Sequence, residues 1–140
     1  MKKTISLLLA LAMICSVVFA LSVSAADDKS SWQVTASSEM HWGLIKNAFD
    51  GDTETFWHSK YTADGGQITS QDNPPFEITV VFPQEKNISG VIYTPRQGSE
   101  TGRWINAEIY VSESAGSKGT KVKDASFDSE QEKTQTVAFG

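Results

Sequence analysis

The segment FEITVVF, residues 76–82, is the clearest strand signal in this 140-residue chain and indicates its fold class. Apolar side chains at positions 76, 78, 80 and 82 alternate with residues that include Glu77 and Thr79. Because successive side chains of a strand point to opposite faces, this alternation predicts a strand with one buried face. Pro83 ends the segment, since proline cannot donate to a sheet ladder.

Working outward, further strand signals recur at a spacing of roughly ten residues. Strands are predicted at residues 32–36, 88–94, 104–112 and 134–139, with a weak strand at best at 121–127. Residues 61–75, with two glycines and two prolines, are predicted to form a long loop. Residues 44–49 carry the spacing of a single helical turn. In the strand at 104–112, one face is predicted to carry Ile105, Ala107, Ile109 and Val111.

Short strands, turn-rich loops and almost no helix predict an antiparallel β-sandwich. About six strands can be counted, fewer than the roughly eight of a jelly roll. The sequence stops at Gly140, immediately after the last predicted strand. We therefore expect a chain truncated before its last strands.

Residues 1–25 have the layout of a secretory signal peptide. Lys2 and Lys3 precede an apolar run at residues 5–21, and small residues lead to Ala25. A transmembrane anchor is the alternative, but the run is short and ends in a cleavage-type sequence. We expect export from a bacterial cell, then a short polar lead at residues 26–31 and one domain at residues 32–140.

The only cysteine, Cys15, lies inside this signal, so the mature domain has no disulfide. Without Lys2 and Lys3, the chain keeps 10 of its 12 basic residues against 17 acidic ones, a net charge of about −7. A surface of that sign disfavours nucleic acid and anionic membranes as partners. It suits an extracellular domain with a neutral ligand, secreted or associated with a cell surface.

Catalytic motifs are missing from the sequence. There is no Gly-x-Ser-x-Gly elbow, no His-Glu-x-x-His and no phosphate-binding glycine loop. Asp50 and Asp52 flank Gly51, which favours ion binding or turn geometry over acid–base chemistry. We therefore predict a protein that is not itself an enzyme.

The segment NAFDGDTETFWHS, residues 47–59, combines turn formers, carboxylates, aromatics and a histidine. Asp50, Asp52 and Thr55 offer hard oxygen atoms of the kind that calcium binds. The alternative is an Asx-turn network without an ion. The spacing alone leaves both interpretations open.

His58 follows Trp57, and neighbours in a strand point to opposite faces, so a buried Trp57 would leave His58 exposed. Arg96 lies in a loop that could share a rim with His58. Together they could hydrogen-bond sugar hydroxyls, while Trp42 or Tyr61 stacks on a sugar ring. The alternatives are a surface histidine, a solvated arginine and aromatic rings that are partly core.

Four motifs in order resemble the discoidin, or coagulation factor 5/8 C-terminal, domain, and most closely its bacterial variant, the family 32 carbohydrate-binding module. They are ASSE at 36–39, NAFDGDTETFWH at 47–58, ISGVIYTPRQ at 88–97, and GR at 102–103 followed by IYVS at 109–112. The resemblance covers residues 32–140. It implies an all-β, eight-stranded jelly-roll β-sandwich.

The resemblance also implies ligands and site residues. Family members commonly bind galactose, N-acetylgalactosamine or related terminal sugars. His58 and Arg96 match the family's hydrogen-bonding pair, and Glu39 falls on the same rim. The resemblance implies a structural calcium ion, which Asp50, Asp52 and Thr55 would bind in this chain.

Two features depart from the family pattern. Many sugar binders have asparagine before the Gly-Arg pair, whereas Glu100 and Thr101 stand there in this chain. The family's final strands are also missing.

The expected function is that of a secreted, non-catalytic module that holds a larger multidomain protein near glycans. No nucleic-acid partner and no membrane insertion are expected. One alternative is a protein- or cell-surface-adhesion module on the same fold. Another is the N-terminal fragment of a secreted glycosidase or peptidase.

Overall fold

The computed structural model of the protein describes residues 28–130 and 132–139. The predicted signal peptide, residues 1–25, lies outside the described residues. The strands are β1 (Gln33–Ala36), β2 (Tyr61–Asp64), β3 (Gln67–Gln71), β4 (Ile78–Val81), β5 (Gly90–Tyr93), β6 (Asn106–Val111), β7 (Thr120–Ser126) and β8 (Gln135–Ala138). Helical structure in the described residues consists of two 3₁₀ turns, Lys29–Ser31 and Ile45–Ala48. None of the helical segments described is long and apolar enough to cross a membrane.

The strands associate as four antiparallel pairs: β1 with β4, β2 with β3, β5 with β8, and β6 with β7. Two of these pairs, β1–β4 and β5–β8, join strands that are not consecutive in the chain, while β2–β3 and β6–β7 join consecutive strands. The all-β, antiparallel prediction is confirmed. The predicted strand at 76–82 appears as β4, whose Val80 lies opposite Val34 of β1. The predicted helical turn is the 3₁₀ turn Ile45–Ala48.

The prediction of a long loop at residues 61–75 was wrong, because this segment contains the β2–β3 hairpin. Gly65 and Gly66 connect the two strands, with φ of 57° and 82°. Positive φ at both central residues is the requirement of the tight turn that best matches strand twist. The hairpin escaped prediction because β3 is exposed along its whole length and carries no apolar alternation. The count of about six strands was therefore too low.

Strand β7 also exceeds its prediction as a weak strand at best, since it has seven residues, the most of any described strand. Its sequence pattern is weak because only Ala125 is buried along it. Its pairing with β6 holds it in place, and Lys121 bridges across to Glu108 at 2.9 Å. Cross-strand pairs of this kind, rather than burial, stabilise such exposed strands.

The predicted apolar face of β6 is only partly correct. Ala107 and Ile109 are half-buried, but Ile105 is 61% and Val111 39% exposed. The β6–β7 register shifts between Ile109 and Tyr110, which breaks the period-two alternation.

Two aromatic clusters lie next to the ends of strands. Trp32 meets Phe82 at 4.8 Å between ring centroids, at the β1–β4 end. Tyr93 stacks on Trp104 at 5.0 Å with an angle of 6° between the rings, and Phe127 closes that cluster. Tyr93 of the second cluster is the last residue of β5, and Pro95, two positions further along, is fully buried and anchors the segment that follows. This anchoring matters for the site, because the next residue is Arg96.

Candidate functional site

Three of the predicted ligand-binding residues meet in one aromatic cluster. The ring of His58 lies 5.3 Å from that of Trp42 and 5.2 Å from that of Tyr61, and the last two rings are 6.2 Å apart. The rings are tilted or edge-on to one another. Trp42 remains 42% exposed, so part of its ring is open to a ligand.

Two backbone hydrogen bonds join the segments that carry Trp42 and His58. His58 N–H donates to the Gly43 carbonyl at 3.0 Å, and Met40 N–H donates to the His58 carbonyl at 2.9 Å. Gly43 is required by the close approach, because a Cβ there would lie 2.9 Å from the His58 Cβ. These two hydrogen bonds attach the segment from Met40 to Gly43, which carries Trp42, to His58. In the sequence, the isolated glycine is the one sign of this contact.

His58 has its tautomer set by a neighbouring carbonyl. Its Nδ1 lies 2.6 Å from the Ser59 carbonyl oxygen. A carbonyl can only accept, so Nδ1 carries the proton and donates. In the neutral ring Nε2 is then an acceptor, available for a ligand hydroxyl. His58 is half-buried. The sequence had predicted an exposed His58 on the condition that Trp57 is buried, but Trp57 is itself half-buried.

Arg96 reaches the cluster through Phe56. Its guanidinium carbon lies 4.2 Å from the Phe56 ring centroid, and Phe56 meets Trp42 edge-on at 6.0 Å. A guanidinium stacked on a ring keeps its N–H groups directed outward at the rim of the plane. Sequence reasoning missed Phe56, whose only signal was an aromatic residue directly before Trp57.

The side chains of two other residues singled out in the sequence, Glu39 and Trp57, form hydrogen bonds with the backbone of the domain. Glu39 Oε2 accepts from the Ile45 N–H at 2.9 Å, at the start of the 3₁₀ turn, so one of its oxygens is already engaged. Its role as a ligand contact stays a prediction. Trp57 is half-buried, donates from Nε1 to the Ser38 carbonyl at 2.9 Å and packs on Phe76 at 5.7 Å.

The predicted calcium turn brings several oxygen atoms around the Thr55 hydroxyl. Asp50 Oδ2 lies at 2.6 Å, the Asp52 carbonyl at 3.2 Å and the Asn47 carbonyl at 3.3 Å from Thr55 Oγ1. One hydroxyl proton cannot serve three acceptors fully. The crowding of oxygens therefore fits a cation that prefers oxygen ligands.

The same turn also contains the bonds of the ion-free alternative. Asp50 Oδ1 accepts from the Asp52 N–H and Asp52 Oδ1 accepts from the Glu54 N–H, each at 2.9 Å. The hydrogen bond from Thr55 lowers the pKa of Asp50, and that from the Asp52 amide adds to it. Within the described ranges, no group of three or more His, Cys, Asp and Glu residues is placed to hold a metal. The oxygens that could bind calcium are thus the Asp50 carboxylate, the Thr55 hydroxyl and the backbone carbonyls of Asp52 and Asn47.

Comparison with known families and structures adds the context for this arrangement. The family model for the F5/8 type C domain matches residues 33–140. CpGH89CBM32-5 from Clostridium perfringens, solved with GalNAc-β-1,3-galactose, superposes with a TM-score of 0.70 and 28% identity, over 80% of this chain and 77% of its own. The family 32 module of C. perfringens NanJ, solved with galactose, gives 0.64 and 25%, over 79% and 74%. The predicted jelly-roll β-sandwich is confirmed.

Two curated relatives match over a small part of their own length. Galactose oxidase of Gibberella zeae is 29% identical over 106 residues, which are 75% of this chain and 15% of that protein. The A type blood N-acetyl-α-D-galactosamine deacetylase of Flavonifractor plautii is 33% identical over 97 residues, which are 69% of this chain and 12% of that protein. The chain spans less than a sixth of either relative.

Proposed function

The chain belongs to the F5/8 type C domain family, and we propose that it is a non-catalytic carbohydrate-binding module for terminal sugars of galactose type. The observation that supports this most is the cluster of Trp42, His58 and Tyr61, with Arg96 joined to it through Phe56. The two similar solved modules bind a galactose or a GalNAc-galactose ligand, which indicates the class of sugar.

The chemistry of the cluster suits such a ligand. The exposed part of Trp42 offers an apolar surface to the C–H face of a pyranose ring. His58 Nε2 would accept a hydrogen bond from one sugar hydroxyl, and the Arg96 guanidinium would donate to another. With few polar contacts on an open rim, affinity for one sugar is expected to be modest and to rise through multivalency.

We propose that calcium, where bound, cross-links the turn at residues 47–55, which precedes Phe56 and His58 in the chain. Asp50 and Thr55 would contribute side-chain oxygens, and Asn47 and Asp52 their carbonyls. The ion would supply charge neutralisation and would tie the turn to the segment that leads to Phe56 and His58. Its role is structural, because no sugar chemistry is required of it.

The setting of the module is part of the proposal. Residues 1–25 would direct export, and the exported domain would hold a larger secreted or surface-associated protein near glycans. The far greater length of the curated relatives supports a multidomain setting. Their enzymatic activities are not transferred, since the similarity covers only the F5/8 type C region.

Isothermal titration with galactose, N-acetylgalactosamine and glucose tests the function. The wild-type protein should bind the first two in preference to glucose. His58→Ala and Arg96→Ala should each weaken binding about tenfold, the loss of a hydrogen bond to a charged or polarised group. The matched control is His41→Ala, which changes the other, exposed histidine and should bind galactose normally.

Normal galactose binding by both His58→Ala and Arg96→Ala would refute the proposed site. Binding of a protein partner with no sugar binding would support the adhesion alternative.

A further inference from the structure

The loop that carries Arg96 is attached to the chain just before β8 through Glu132. Gly98 N–H donates to Glu132 Oε1 at 3.0 Å. Gln97 Nε2 donates to the Glu132 carbonyl at 3.0 Å and to the Pro95 carbonyl at 2.7 Å. The two residues that follow Arg96 are therefore both bonded to one glutamate thirty-odd positions away.

Arg103 completes this attachment from inside the fold. Its side chain is 1% exposed and its NH2 group lies 3.0 Å from Glu132 Oε1. The same NH2 donates to the Arg96 carbonyl at 3.5 Å, and NH1 donates to the Ser129 carbonyl at 2.9 Å. A buried guanidinium requires a paired charge, so Glu132 determines where Arg103 lies.

These contacts restrain the backbone of Arg96 on both sides. Pro95 before it is fully buried, and Gln97 and Gly98 after it are bonded to Glu132. Among residues 28–130 and 132–139, the Arg96 side chain contacts the face of Phe56, with its guanidinium carbon 4.2 Å from the ring centroid. A stacked guanidinium can slide on a ring, so the direction in which it donates depends on where its backbone is held.

We propose that Glu132, with Arg103, is a positioning residue that aims Arg96 at the ligand; this inference rests on the sugar-binding function proposed above. Neither residue touches the sugar. Glu132 acts through the Gly98 amide and through the buried guanidinium of Arg103. A sequence motif could not indicate this pairing, because Glu132 lies in a polar segment with ordinary surface composition.

The test uses Glu132→Ala, because the Glu132 side chain is 52% exposed, so that its removal opens no large cavity. Because this change also leaves the buried Arg103 guanidinium without its carboxylate, a thermal melt first establishes that the variant is folded at the titration temperature. Glu130→Ala is the matched control: an exposed glutamate beside the same cavity, which is lined by Glu100, Arg103, Glu130, Glu132 and Lys133. Glu132→Gln retains an oxygen that can accept from Gly98 and should restore part of the affinity. Galactose affinity is measured by NMR titration, with the Arg96 Nε–H and His58 ring signals followed separately.

We expect Glu132→Ala to weaken galactose binding about fivefold, the equivalent of one ordinary hydrogen bond. The ligand-induced shift of Arg96 Nε–H should shrink while that of the His58 ring persists, and exchange of the Gly98 amide proton should accelerate. Glu130→Ala should match the wild type.

Three outcomes would overturn the inference. Unchanged affinity in Glu132→Ala would do so, and so would equal loss of the Arg96 and His58 shifts, which indicates general loosening of the fold. If the wild type binds no galactoside, the proposed function fails and the inference fails with it. That last result is told apart from the first two because they both require wild-type binding.

Discussion

Replacing Gly43 by alanine would place a methyl carbon 2.9 Å from the Cβ and 3.0 Å from the backbone nitrogen of His58. Carbon atoms in contact lie about 3.5–4.0 Å apart, so the two segments must separate by roughly 0.6–1 Å. Small-to-large changes in packed positions cost about 1–3 kcal/mol of stability. The melting temperature of Gly43→Ala should therefore fall by several degrees.

The same displacement should weaken sugar binding. Hydrogen bonds tolerate a donor–acceptor range of only about 0.5 Å, so a shift of 0.6–1 Å at His58 would remove the Nε2 contact to a sugar hydroxyl, about 0.5–1.5 kcal/mol. The expected galactose Kd rises about two- to tenfold. Isothermal titration measures the Kd, and differential scanning fluorimetry measures the melting temperature.

Gly90→Ala is the matched control for this experiment. A Cβ at Gly90 would lie 2.7 Å from the Val137 carbonyl oxygen, in the β5–β8 pair rather than at the site. It should lower the melting temperature as Gly43→Ala does and leave the Kd unchanged. Wild-type affinity in Gly43→Ala, or equal loss of affinity in both variants, would refute the assignment of Gly43 as the support of His58.

Three other changes test separate contacts. Phe56→Leu removes the ring beneath Arg96; a cation–π contact contributes about 0.5–1 kcal/mol, so the galactose Kd should rise about two- to fivefold in titration. A chelator should lower the melting temperature of the wild type and have little effect on Asp50→Asn, because calcium would stabilise only the folded turn. Hydrogen bonds from Lys121 and Tyr110 lower the pKa of Glu108. The stability that this lowered pKa provides is present above the pKa of Glu108 in the unfolded state. It is lost as the pH falls through the pKa of Glu108 in the folded state. In a series of thermal melts at different pH, acid below about pH 4.5 should therefore destabilise the wild type more than Glu108→Gln.

Each of these has a contradicting result. Unchanged galactose affinity in Phe56→Leu would show that Arg96 needs no ring beneath it. A melting temperature that ignores the chelator would favour the ion-free Asx turn. Parallel acid profiles for the wild type and Glu108→Gln would mean that the exposed bridge to Lys121 adds nothing measurable, as many exposed ion pairs do.

The strands were predictable where one face is buried. Alternation identified β4 and β8 because burial of one face imposes period two on the sequence. The β2–β3 hairpin was missed because both its faces meet solvent, so no apolar pattern is required of it. Its one local sign, two adjacent glycines, was interpreted as loop composition.

The candidate site was predicted in its members more than in its geometry. Trp42 and Tyr61 were nominated by residue type and His58 also by the family resemblance, and the structure brings the three together. Phe56 went unnoticed because its value lies in what rests on it, the guanidinium of Arg96. Glu39 was nominated as a ligand contact, but its bond to the Ile45 amide depends on chain path.

By itself, the sequence determined an acidic, cysteine-poor β-domain with motifs of the F5/8 type C family, because alternation, turn residues and charge act over short stretches of chain. Only the tertiary structure decided which nitrogen of His58 is left to accept a hydrogen bond, that Gly43 must lack a side chain, and that Glu132 holds the loop of Arg96. The first fact depends on how the His58 ring is turned towards the carbonyl of the next residue, Ser59. The other two depend on contacts between residues far apart in the chain, and such a contact constrains residue type only through the small space or the single hydrogen bond that it leaves.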